Sequence, residues 1–131
     1  MGLIVSAIAF GTTSSSPESA ELIPKSYLTG DPKNRLPNII SFRFTGIEGE
    51  SILMALNELN VAVSTGSACS SQDLQPSHVL AACGLNPDEI HGSVRISLSR
   101  FTTKREIDYL ISVLPNIIKK LRKISPYGNK K

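Results

Sequence analysis

The stretch GSVRISLS, residues 92–99, alternates apolar and polar side chains. In an extended chain, Val94, Ile96 and Leu98 lie on one face, and Arg95 lies with the serines on the other. This period of two predicts a half-buried β-strand. The stretch NIISFRF, residues 38–44, repeats the same pattern and predicts a second strand. The fold is therefore built on a sheet that buries one face.

Helical patterns lie between and after these strands. Apolar residues recur at helical spacing from Glu48 to Asn60, and again behind the capping-box residues Thr103 and Glu106. The remaining predicted elements are a short strand at Tyr27, a β-branched strand at 61–65, a loop at 66–75 and a short helix at 78–83. This order predicts an α+β (α/β two-layer) fold with a small mixed or antiparallel sheet and helices on one face.

The chain has 131 residues, which is about the length of one domain. Residues 1–20 begin with an apolar run and continue as a small, polar stretch, GTTSSSPESA, so they are predicted to be a disordered or unrelated appendage. Residues 21–126 carry the regular patterns and form the predicted domain. Residues 127–131 are a basic tail.

The net charge of +3 comes from the C-terminal end of the chain. Six of the 14 Lys and Arg residues lie in the last 13 positions, where no acidic residue occurs, and this pattern is typical of a solvated helix end. Only seven aromatic residues are present, so nucleic-acid binding by base stacking is not expected. No run reaches the ~18 apolar residues of a membrane span. Two cysteines without metal or disulfide spacing indicate a reducing compartment, and the predicted location is the cytoplasm.

The two cysteines lie in different surroundings. Cys69 is flanked by Gly, Ser, Ala and Thr in the predicted loop, where no large apolar side chain can bury it. An exposed thiol of this kind is a candidate nucleophile, provided that a base or a positive field lowers its pKa. Cys83 ends the apolar stretch HVLAAC and is expected to pack in the core.

Arg95 and His91 are candidates for a binding site. A guanidinium on a strand face can bind a carboxylate through two parallel hydrogen bonds, but Arg95 can equally be a solvent-facing strand residue. His91 is placed in a turn before the same strand and is a candidate for lining the same pocket. Neither His91 nor His78 has Cys, Asp or Glu at metal-ligand spacing, so no metal site is predicted.

Four motifs occur in order along the second half of the chain. They are STGSACS at 64–70, PSHVL at 76–80, SVRISL at 93–98 and RFTT at 100–103. Together they resemble the C-terminal part of cysteine desulfurases, which are fold-type I, pyridoxal-phosphate-dependent enzymes of the class V aminotransferase superfamily. The group with the long catalytic loop is the most similar. Shorter matches at 30–32, 35–38, 47–50 and 125–126 extend the resemblance over residues 21–126.

The resemblance implies the fold of the small domain of these enzymes and a role for two residues. Cys69 would attack the sulfur of a cysteine held on pyridoxal phosphate, leaving a persulfide and releasing alanine, and Arg95 would clamp the substrate carboxylate. The sulfur would serve iron–sulfur cluster assembly or thiolation, passing to an iron–sulfur scaffold or another acceptor protein, with transient cluster contact through Cys69. The family forms homodimers.

The family's large domain, which supplies the Schiff-base lysine, has no counterpart among these motifs. Pyridoxal phosphate is therefore not expected to bind this chain alone, and the chain alone is expected to be inactive. A missing large domain or a partner chain would complete the enzyme. Two alternatives remain open, a stand-alone persulfide carrier and a non-catalytic remnant domain.

Overall fold

A computed structural model describes residues 23–31, 33–66 and 76–127. In this part of the chain a four-stranded antiparallel sheet has the strand order β1-β2-β4-β3. The strands are β1 (Ser26–Leu28), β2 (Ile39–Phe44), β3 (Ser64–Thr65) and β4 (Ser93–Ser97). The predicted α+β class and the small antiparallel sheet are confirmed.

The register between β2 and β4 follows the alternation in the sequence. Phe42 pairs with Val94, and both side chains are buried on the face that carries the core. Ser41 pairs with Arg95 on the opposite face, which we call the second face. The period of two therefore separates an apolar layer from a polar one across the same backbone.

Two helices, α1 (Gly49–Asn57) and α4 (Lys104–Ile124), cover the core face. Helix α4 begins with the predicted capping box, in which the Thr103 side chain accepts from the Glu106 N–H and the Glu106 carboxylate accepts from the Thr103 N–H. The hydrogen bonds that the Glu106 carboxylate accepts from the Thr103 N–H and from the Thr103 hydroxyl lower the pKa of Glu106. The most buried residues of the helical layer are Ile52, Leu56, Leu110, Leu114 and Ile118.

Two shorter helices, α2 (His78–Ala82) and α3 (Pro87–His91), precede β4. Helix α3 was not predicted from the sequence, and His91 is its last residue rather than part of a turn. Its start is fixed by Asn86, whose side chain accepts from the Glu89 N–H, and by Pro87 in the first turn. Helix α3 thus carries its start signals in the sequence but is too short to show apolar periodicity.

The predicted strand at 61–65 is wrong in its first half. Only Ser64 and Thr65 pair with β4. Before them, Asn60 adopts a left-handed φ of 60°, and the Val61 N–H donates to the Leu56 carbonyl. This bond holds residue 61 at the end of α1, so the chain reaches the sheet edge only at Ser64.

The prediction that Cys83 packs in the core is also wrong. Cys83 is exposed at the C-terminal cap of α2, a helix of five residues that buries none of them. Gly84 follows with φ +86° and ends the helix, as predicted. Because α2 is so short, its apolar composition does not bring its last thiol into the core.

The start of α1 lies against β4 at Gly49. A Cβ atom at this position would lie 2.5 Å from the Ser93 carbonyl oxygen, which is a backbone atom that cannot swing away. Only glycine permits this approach. Close backbone packing therefore fixes where α1 enters the helical layer.

We predict that Gly49→Ala lowers the free energy of unfolding by about 2 kcal/mol, because the added methyl group overpacks the contact with Ser93. Urea denaturation measures the change. A Gly→Ala exchange within a helix ordinarily stabilises the helix by about 0.5–1 kcal/mol. A decrease in the free energy of unfolding would therefore point to the contact with Ser93. Met54→Ala, at a helix position 68% exposed, is the control and should change stability by less than about 0.5 kcal/mol. A Gly49→Ala variant as stable as the parent would contradict the packing argument.

Candidate functional site

Arg95 lies in the middle of β4 and is exposed on the second face of the sheet. Its neighbours in register are Ser41 on β2 and Ser64 on β3. Its guanidinium reaches the Ser64 hydroxyl oxygen only at a long distance of 3.4 Å. Within the described residues no carboxylate pairs with Arg95. The guanidinium therefore keeps donors available for an anion such as a carboxylate.

A second arginine on this face, Arg43, is engaged by its neighbours. Its Nε lies 3.2 Å from a Glu89 carboxylate oxygen, and its guanidinium stacks 5.0 Å from the centre of the Tyr27 ring. Arg43 thus contacts both β1 and α3, and Glu89 on α3 balances its charge. The second face holds one paired arginine and one, Arg95, that has no carboxylate partner in the described chain.

β3 leads directly from this site into the segment that carries Cys69. Gly66 follows β3, is buried, and its N–H donates to the Ser93 carbonyl at 3.2 Å. A Cβ atom there would lie 2.6 Å from Leu80 Cδ1 and 2.7 Å from the Ile90 carbonyl oxygen. Gly66 therefore occupies a position that only glycine fits. Cys69 itself lies outside the described residues.

His91 is exposed at the C-terminal end of α3. No hydrogen bond between described residues joins it to Arg95. Its role in lining a pocket with Arg95 therefore stays a prediction. Among residues 23–31, 33–66 and 76–127, no three His, Cys, Asp or Glu side chains come together as a metal site.

Arg122 has a structural role that the sequence reasoning missed. Its guanidinium donates to three backbone carbonyls, those of Thr45 at 3.2 Å, Pro24 at 2.5 Å and Lys25 at 2.9 Å. Partial burial lowers its pKa below the usual value. Arg122 follows the buried Ile118 by four residues, so helical spacing placed it on the apolar side of α4 and could have revealed it.

Comparison with known proteins gives the family. The Aminotransferase class-V family profile matches residues 15–110. The chain is 52% identical over 104 residues to cysteine desulfurase IscS 1 of Archaeoglobus fulgidus, covering 79% of this chain and 27% of that protein. It is 50% identical over 106 residues to cysteine desulfurase NifS of Azotobacter vinelandii, covering 81% of this chain and 26% of that protein. The chain thus spans about a quarter of the length of these relatives.

Solved structures show the same fold. A NifS-like protein superposes on 92% of this chain with a TM-score of 0.68 at 24% identity, and the match uses 26% of that protein. The NifS-like protein of Rickettsia africae superposes on 73% of this chain with a TM-score of 0.62 at 28% identity, using 24% of its own chain. No helix in the described ranges is long and apolar enough to cross a membrane. Because the profile match takes in most of the sequence, the chain belongs to the class-V aminotransferase family.

Proposed function

We propose that residues 21–126 are the small, C-terminal domain of a cysteine desulfurase, with Cys69 as its sulfur acceptor and Arg95 as its carboxylate-binding residue. One observation carries the proposal: 52% identity to a cysteine desulfurase over 79% of this chain, in a stretch that is only 27% of that relative. The sulfur leaving Cys69 would supply iron–sulfur cluster assembly or thiolation through an acceptor protein. The remainder of the enzyme would come from a large domain or a partner chain.

The geometry around Arg95 supports its part in this proposal. Its guanidinium is exposed, and the register neighbours Ser41 and Ser64 are small, so a substrate carboxylate can approach without displacing a large side chain. Two parallel hydrogen bonds to the carboxylate would fix the orientation of a bound amino acid. A residue that fixes the orientation of the bound amino acid in this way raises the rate of the reaction.

The position of Gly66 supports the part given to Cys69. Ser64 pairs with Arg95, and Gly66 is held on Ser93, so the chain departs toward Cys69 beside the carboxylate-binding residue. Cys69 follows Gly66 by three positions, and such a stretch spans at most about 11 Å. A thiol on this tether can meet the sulfur of an amino acid whose carboxylate is bound by Arg95. The thiolate would attack this sulfur and form an S–S bond while the carbon–sulfur bond of the amino acid breaks. Cys69 thereby becomes a persulfide, and the carbon keeps the electron pair, takes a proton and leaves as alanine.

The cysteine desulfurase family depends on pyridoxal phosphate, and the described residues do not fit this cofactor. Its covalent anchor is a lysine. None of the residues that β1 to β4 direct to the second face is a lysine. Lys104, at the start of α4, pairs instead with Asp108 at 2.6 Å on the surface. We therefore infer that the cofactor and its lysine belong to the part of the enzyme beyond this chain.

A chimera tests the proposal. Residues 21–126 replace the matching segment of the Archaeoglobus fulgidus relative, and alanine release from cysteine is measured with pyridoxal phosphate present. The chimera is expected to release alanine, whereas this chain alone under the same conditions is not. A folded chimera without activity, or alanine release by the chain alone, would overturn the proposal.

Within the chimera, Arg95→Lys is expected to raise KM for cysteine about 10- to 100-fold, because an ammonium cannot form the paired hydrogen bonds of a guanidinium. Steady-state kinetics separates this effect from a change in kcat, which we expect to be smaller. Arg100→Lys, at another exposed arginine, is the matched control and should leave KM unchanged. Equal effects of the two substitutions would argue against a binding role for Arg95.

A persulfide carrier is the second candidate function. It is favoured by the described strands, which carry no lysine to anchor the cofactor. Exposure of the whole chain to a persulfide donor, followed by mass spectrometry of its peptides, would show one added sulfur on Cys69. The exposed Cys83 is an internal control for unselective reaction. Equal loading of both thiols, or of neither, would speak against a carrier and leave the non-catalytic remnant as the remaining alternative.

A further inference from the structure

Two arginines project from the second face of the sheet, and they are the only charged residues that the described strands direct to that face. Arg43 on β2 pairs in register with Ser93, and Arg95 on β4 pairs with Ser41. The two arginines therefore lie on the diagonal between neighbouring register pairs of this face, where side chains as long as arginine remain within reach of each other. A ligand with two anionic groups can thus contact both guanidinium groups.

Glu89 distinguishes the two arginines. Its Oε1 lies 3.2 Å from Arg43 Nε, and the side chains of this pair are only 27% and 34% exposed, so solvent screens their attraction less than that of a fully exposed pair. Within the described residues no carboxylate pairs with Arg95. The second face therefore carries two guanidinium groups but only one uncompensated positive charge.

Glu89 is held in place by the capping box of α3 and by a contact with β4. Its Oε2 accepts from the Asn86 N–H at 3.0 Å, and its own N–H donates to the Asn86 side chain at 3.0 Å. The Glu89 carbonyl accepts from the buried Ser93 hydroxyl at 2.8 Å, two residues before Arg95. Because these bonds already fix Glu89, its pairing with Arg43 costs little further conformational entropy.

Tyr27 on β1 supports Arg43 from the other side. The guanidinium carbon lies 5.0 Å from the centre of the Tyr27 ring, and the two residues are partners in register. Arg43 is thus held between an aromatic ring and a carboxylate. A substitution that removes only the Glu89 charge leaves the guanidinium supported by the ring, with its own charge uncompensated.

We propose that Glu89 determines specificity at the carboxylate-binding site: it neutralises Arg43, so that the site accepts amino acids with one anionic group and excludes those with a second anionic group on the side chain. This inference rests on the proposed function, in which Arg95 binds the substrate carboxylate. Beside a neutralised Arg43, a second carboxylate loses hydration on binding without gaining an equivalent partner. Cysteine needs only the contact with Arg95 and is not excluded.

Competitive inhibition of alanine release by the chimera tests the proposal, with aspartate and its neutral counterpart asparagine as the probes. In Glu89→Gln, the side-chain amide oxygen can still accept from the Asn86 N–H, but the negative charge is lost. We expect Ki for aspartate to fall about 10-fold, because a second guanidinium becomes available to its side-chain carboxylate, while Ki for asparagine stays within about twofold. KM for cysteine should also stay within about twofold. An unchanged ratio of the two Ki values would overturn the proposal.

Two further variants identify the groups responsible. Asp88→Asn removes the same charge from the neighbouring, exposed position of α3 and should leave the ratio unchanged. Arg43→Met combined with Glu89→Gln should return Ki for aspartate to the parent value, because the second guanidinium is absent. An equal gain in Asp88→Asn, or a gain that persists in the double variant, would refute the role of the Arg43–Glu89 pair. A folded chimera that releases no alanine overturns the proposed function and with it this inference, whereas an active chimera with an unchanged ratio overturns this inference alone.

Discussion

In the chimera, Cys69→Ser is expected to lower alanine release by at least about 10³-fold, because the acceptor of the substrate sulfur is lost. A hydroxyl is far less acidic and less nucleophilic toward sulfur than a thiol, so binding and orientation by Arg95 would remain without an acceptor. The rate of alanine formation at saturating cysteine measures the loss. KM should change little, since the carboxylate contact is retained.

Cys83→Ser is the control for this prediction, because Cys83 is the other thiol of the chain and is exposed at the end of α2. Its activity should stay within about twofold of the parent chimera, as expected for a surface exchange. Retention of more than a tenth of the activity by Cys69→Ser, or an equal loss in Cys83→Ser, would exclude Cys69 as the specific acceptor.

Arg122→Ala is expected to lower the free energy of unfolding by about 3 kcal/mol. The substitution leaves the carbonyls of Pro24, Lys25 and Thr45 without their charged donor. A hydrogen bond to a charged group contributes about 1.5–3 kcal/mol when it is well shielded. Because Arg122 is only half-buried, three such bonds are expected to contribute less than their sum. Urea denaturation of the chain measures the difference.

The neighbouring residue gives a matched control. Lys123 is exposed on the same turn of α4, so Lys123→Ala should change stability by less than about 0.5 kcal/mol. Arg122→Lys keeps the charge but loses the planar fork, and we expect about half of the alanine effect. Equal stability of Arg122→Ala and Lys123→Ala would show that Arg122 is an ordinary surface residue.

The strands with one buried face were predictable from the sequence, because burial imposes a period of two. Phe42 and Val94 lie in the core as their patterns require. Residues 61–63 were misassigned because β-branched composition does not tell which backbone groups find a partner, and the N–H of Val61 finds one on α1. Helix α3 was not predicted because its five residues are too few to show a helical apolar periodicity.

The candidate site was predictable only in part. The alternation in β4 placed Arg95 on the polar face, but the sequence could not show that Arg43 is the arginine with an acidic partner. That partner, Glu89, lies 46 positions further along the chain, on a helix that was not predicted. Arg122 belongs to the basic residues that the charge pattern assigned to a solvated helix end, but its spacing of four residues from the buried Ile118 places it on the apolar side of α4.

The three bonds of Arg122 also bring the two ends of the domain to one place. Two of them join the last turns of α4 to Pro24 and Lys25, next to the start of β1. Ends that meet in this way allow a compact unit to be inserted into a longer protein through one small opening, with little disturbance of the host. Such a domain would connect to the rest of the protein at one place, next to the Arg122 guanidinium.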